Sequence, residues 1–110
     1  MSEIRRGEIW WVSLDRTQGS EIRKTRPCLV LTSNILNRHR NTIVVVPLST
    51  AAKAHPPITI PAQCQGMDSV VVIDQIRAIA KQRLKSKIEQ ASSETVNAVL
   101  KALSQILEIA

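Results

Sequence analysis

At 110 residues the chain falls in the commonest size range for one compact domain, residues 1–110, with about two-thirds of the unfolded surface buried in a single core. Fifteen Lys and Arg against nine Asp and Glu leave a formal charge of +6, which draws polyanions such as nucleic acid and equally serves solubility alone. The two cysteines lie outside any CxxC or His-rich spacing, so no zinc pattern exists; the charged start MSEIRRGEIWW argues against a signal peptide, and no apolar run approaches a membrane span. A reducing cytoplasm is the default expectation.

The apolar supply is aliphatic, with two Trp and neither Phe nor Tyr, so the core packs through branched side chains. EIWWVSL, from Glu8 to Leu14, is rich in branched and aromatic residues and bounded by Gly7 and Asp15, which predicts a first strand. Its Trp10 and Trp11 point to opposite faces, and both are expected in core or dimer packing. The polar segment from Asp15 to Thr25, centred on Gly19, is long for a hairpin connection and is a candidate functional loop. RPCLVLTS reads as a second strand, with Cys28 a small buried thiol.

Residues Asn34 to Asn41 suit a short helical turn or a charged loop. Ile43 to Leu48 is a third strand, nearly continuous in apolar residues, as expected for a strand buried on both faces or in a tightly closed barrel. PPITIP gives a short strand whose three prolines confine it to an edge or a first position. A turn-rich connection, AQCQGMD, leads to the β-branched run SVVVIDQIRAIA, read as one strand, and LKSKIEQAS adds a short piece. Val96, Val99, Leu100, Leu103, Ile106 and Leu107 then recur at helical spacing behind Ser92 as N-cap, with Glu94 in the first turn. The class is mainly β (α+β): a small, strongly bent antiparallel sheet or barrel covered by a C-terminal amphipathic helix.

Three places can carry chemistry. Arg26, at the mouth of the second strand, offers a planar, permanently charged fork that fits phosphate oxygens, or else pairs with a carboxylate such as Glu21. Ser49 and Thr50, at the end of PLST, can bind phosphate, orient a reactive oxygen or cap the loop. Asp74 and Gln75 interrupt an apolar strand, with Arg77 at same-face spacing from Gln75; a buried Asp must be paired, so Asp74 is open to a structural or a functional role.

Taken in order, RGEIWWVSLD, GSEIRKTRPCLVL, VVVPLST and DQIRAIAKQRL resemble the MazF/PemK (Kid-like) toxin family of toxin–antitoxin systems, over nearly the whole chain. The resemblance implies a metal-independent endoribonuclease without cofactor that cuts single-stranded RNA at short sequences, on an SH3-like barrel, as a cytoplasmic homodimer restrained by an acidic antitoxin. Arg26 matches the key arginine of the family's RP motif. Ser49 stands where members usually have a threonine, Thr50 matches the second member of that pair, and Glu21 matches the acidic residue of the GSE loop, a candidate base. Asp74 and Gln75 match the DQ strand near the scissile phosphate. Val72 and Ser20 stand where the Kid branch has an arginine and a histidine, so the chain resembles the MazF branch; Arg16 and Ala80 depart from LDPT and RTID.

A metal-free cut implies attack of the 2′-hydroxyl on its own phosphate, giving 2′,3′-cyclic phosphate and 5′-hydroxyl ends. Ser20, Arg23, Lys24, Lys53 and Arg77 are expected along the RNA path. His39 and His55 are expected at the surface. Two other readings share the fold: a non-enzymatic, CcdB-like topoisomerase poison, and a catalytically degenerate antitoxin-binding module.

Overall fold

The computed structural model describes residues 3–14 and 25–109. Within these the chain runs β1 (Glu8–Ser13), β2 (Thr25–Val30), α1 (Asn34–His39), β3 (Thr42–Ser49), β4 (Thr59–Cys64), β5 (Met67–Val72), β6 (Arg77–Ala80), β7 (Leu84–Gln90) and α2 (Ser93–Ile106). All pairings between the strands are antiparallel, in the order β4-β5-β3-β2-β1-β7, with β6 also on β3. One curled antiparallel sheet with a C-terminal helix results, as expected.

Alternation along the strands sends side chains to two apolar clusters. Ile9, Leu29, Val46, Leu48 and Val71 face α2, whose Val99 and Ala102 complete that cluster. Trp10, Val12, Cys28, Val30, Ile43, Val45 and Ile79 form the other. Strand β3 feeds both, which explains its unbroken apolar run. The Ser92 hydroxyl caps α2 by accepting from the Thr95 N–H, and Glu94 lies in the first turn. At the opposite end of the sheet order, β4 is an edge strand that tolerates Pro61 because only β5 pairs with it. Pro56 and Pro57 precede it.

Two boundaries differ from expectation. The connection AQCQGMD is almost all strand: Ala62 to Cys64 end β4, Met67 and Asp68 begin β5, and only Gln65 and Gly66 turn. The run SVVVIDQIRAIA is not one strand. β5 leaves β3 after Val71 opposite Leu48, and β6 rejoins it with Arg77 opposite Val45. Five residues thus stand between partners where β3 has only two, and the surplus forms a 3₁₀ turn over Ile73–Gln75. Ile73 is fully buried and anchors it, donating its N–H to Ile58 O at 2.9 Å. Asp74 and Gln75 are pushed out of the sheet into solvent, so Asp74 is neither a strand residue nor a buried carboxylate.

Candidate active site

Pro27 biases Arg26 toward extended backbone, and Arg26 duly sits in β2 opposite Val12 of β1. Cys28 beside it pairs with Pro47 of β3. That register aligns the start of β2 with the end of β3, where Ser49 and Thr50 follow. Arg26, Ser49 and Thr50 line a single hollow of about 570 Å³, floored and walled by Trp11, Pro27 and Leu48 and rimmed by the β4–β5 turn. The volume suits a small-molecule or nucleotide-sized ligand. Arg26 and Ser49 are half-buried and Thr50 is exposed.

Ser49 Oγ accepts from Ala51 N–H at 3.1 Å and from Ala52 N–H at 3.3 Å. The loop-capping role is therefore real. With both lone-pair directions engaged, the hydroxyl proton is left to donate, which suits a phosphate oxygen in the hollow.

Other expected site residues fall elsewhere. Lys53, Asp74, Gln75 and Arg77 do not line this hollow. Arg77 lies in β6 opposite Val45, and its charge and that of Arg26 both act on the Cys28 thiol. Burial dominates there and pushes that thiol up to about 12, against the pull of the two guanidinium groups; Cys28 is inert packing, as expected. Ser20, Glu21, Arg23 and Lys24 lie outside the described residues. His39 and His55 are exposed. Among the described residues no three His, Cys, Asp or Glu side chains gather as a cation-binding group.

Of the two places expected for Trp11, the core is not the one it takes: unlike Trp10, it is half-buried in the wall of the hollow. Trp10 is buried, donating Nε1–H to Glu8 Oε1 at 2.9 Å. Sequence reading also missed Cys64, Gln65 and Met67 at the rim. Gly66 marks a turn there, but no local signal says that the turn reaches this hollow, which depends on strand register.

The family model of the PemK-like, MazF-like toxin of type II toxin–antitoxin systems matches residues 5–107. The chain belongs to that family. It is 37% identical over 111 residues to the endoribonuclease PemK of Escherichia coli, spanning 96% of this chain and 84% of that one. It is 35% identical over 105 residues to the endoribonuclease EndoA of Bacillus subtilis, spanning 91% and 90%. A MazE–MazF structure from Deinococcus radiodurans shares the fold with a TM-score of 0.87 at 21% identity, covering 100% of both chains. An endoribonuclease in complex with its cognate antitoxin, from a mycobacterial species, gives 0.82 at 22% identity, covering 97% of each chain.

Proposed function

We propose that this family member is a sequence-specific endoribonuclease toxin that cuts single-stranded RNA without a metal ion. The relatives at 35–37% identity are named endoribonucleases. The observation that carries the reading is the shared hollow of Arg26, Ser49 and Thr50. The start of β2 and the end of β3 meet there, so that a guanidinium and two adjacent hydroxyl residues line one ligand-sized space.

Cleavage begins when the 2′-hydroxyl loses its proton and its oxygen attacks the adjacent phosphorus in line. The P–O5′ bond breaks, O5′ takes up a proton, and a 2′,3′-cyclic phosphate remains. Negative charge builds on the non-bridging oxygens along the way, so a guanidinium there stabilises the transition state more than the ground state. Arg26 supplies that charge. Ser49 donates its hydroxyl proton to a phosphate oxygen and keeps the group in line, with Thr50 as the second donor. Glu21 remains the candidate base. Lys53, Arg77, Asp74 and Gln75, with Ser20, Arg23 and Lys24, belong to the same proposal as contacts along the RNA.

The protein works as a cytoplasmic homodimer, held in check by an acidic antitoxin whose carboxylates answer the +6 charge. The test is incubation of single-stranded RNA with the purified protein in excess chelator, followed by end-group analysis. Cyclic phosphate and 5′-hydroxyl ends are expected, with cleavage by Arg26→Ala reduced at least about 100-fold. Ends bearing 5′-phosphate, or undiminished cutting by the variant, would overturn the mechanism. Intact RNA with inhibited supercoiling would point to the topoisomerase poison.

A further inference from the structure

The β4–β5 turn reaches the same hollow as Arg26 and has no part in the chemistry above. Cys64 pairs with Met67, leaving Gln65 and Gly66 as a two-residue connection. Both take positive φ, 55° and 75°, the geometry of a type I′ hairpin turn, whose twist matches that of its strands. Two side-chain contacts brace it. The Gln65 N–H donates to Glu89 Oε1 of β7 at 3.0 Å, from a distant part of the chain. Across the ladder, Gln63 Nε2 donates to Asp68 Oδ1 at 2.8 Å. The backbone of the turn is thereby held at the rim while the Gln65 side chain stays exposed and Met67 is left 60% exposed.

A protein gains no core packing from a methionine in that position, and a pinned turn gives two adaptable side chains a fixed origin. Gln carries a donor and an acceptor in one plane, the pattern that matches the edge of a nucleobase. A thioether packs softly on an aromatic face. Single-stranded RNA is read by such contacts to splayed bases, whereas its phosphates give affinity without sequence choice.

We infer that the Gln65–Met67 turn is a base-reading element of the hollow. Gln65 hydrogen-bonds the edge of the base next to the phosphate held at Arg26, and Met67 covers that base's face. Glu89 is a positioning residue, acting through the Gln65 N–H. The inference rests on the ribonuclease reading above and adds to it where sequence choice resides.

The experiment maps cleavage sites on one long RNA of mixed sequence, by sequencing 5′-hydroxyl ends, for the wild type and for Gln65→Ala, Glu89→Ala and Glu89→Gln. For Gln65→Ala the base tolerance should widen at a single position beside the scissile bond. The ratio of kcat/KM between preferred and other bases there should fall about tenfold or more, because one paired base edge is lost. Glu89→Ala should widen the same position, and Glu89→Gln, which keeps an acceptor for the turn, should restore most of the preference. Unchanged site profiles would overturn the inference while leaving the nuclease reading standing, as would a uniform slowing at every site. RNA left whole by the wild type would bring down both.

Discussion

Ser49 shows how one side chain serves loop and ligand together. Its oxygen holds the Ala51 and Ala52 amides, and that fixes where its proton points. Sequence alone left capping and phosphate binding as alternatives, because a hydroxyl after a strand looks the same in both. The two roles predict a graded series. Ser49→Ala should lower kcat/KM by about 10- to 100-fold through the lost charge-assisted hydrogen bond, Ser49→Thr should recover most of it, and Thr50→Ala should cost less than Ser49→Ala. Steady-state cleavage of one short RNA checks the order; a larger loss for Thr50→Ala would make Thr50 the key donor. Arg26 stood out for a different reason: pattern alone left an ion pair open, and it was the match to the family's RP motif that singled it out.

At the scale of elements, α2 and β1 to β3 could be read directly, because their periods of 3.6 and 2 are written in the positions of Ile, Val and Leu. The break between β5 and β6 could not. A bulge changes the count of residues facing a partner strand, and a single chain segment carries no record of its partner. Glycine positions allow a sharper test. Gly66 has φ +75 with open space where a Cβ would go, whereas at Gly7, φ +90, a Cβ would lie 2.6 Å from Gln90 Nε2 and 3.3 Å from Val96 Cγ2. Gly7 also ties the ends of two strands, donating to Val30 O at 2.8 Å and accepting from Ala91 N–H at 2.9 Å. Gly66→Ala should therefore cost about 1 kcal/mol, the backbone term alone, and Gly7→Ala distinctly more. Urea unfolding of the two variants measures both.

For the molecule as a whole, Glu8 joins the N-terminal segment to both β1 and β7. Only 2% exposed, it accepts from Arg5 N–H and Trp10 Nε1–H, each at 2.9 Å, and pairs with Lys87 Nζ at 3.0 Å. Burial by itself pushes the carboxyl up, but the Arg5 and Trp10 hydrogen bonds and Lys87 together hold it below its ordinary value near 4.5. A depressed carboxylate contributes stability that is fully present above its unfolded value and disappears as pH falls through the folded one. Stability measured by urea titration should accordingly decline below about pH 4.5, and Glu8→Gln should be less stable at neutral pH with a shallower acid decline. Equal acid declines in the two proteins would assign the loss to other carboxylates. The surplus of six positive charges acts at this scale as well. RNA affinity should fall with salt, and if Lys53 and Arg77 touch phosphates, replacing either by Ala should reduce the log–log slope by about 0.7. An unchanged slope would remove that residue from the RNA path.

What the order of residues settled by itself was the class of fold and the family, and it singled out Arg26 as the candidate for phosphate binding, because periodicity, proline placement and short motifs are local properties of a chain. Tertiary structure alone decided that Arg26 shares a hollow with Ser49 and Thr50, that Trp11 and the β4–β5 turn complete its wall and rim, and that Asp74 is expelled from the sheet. Each of these depends on strand register, and register is chosen only when separate segments bury their apolar faces against one another.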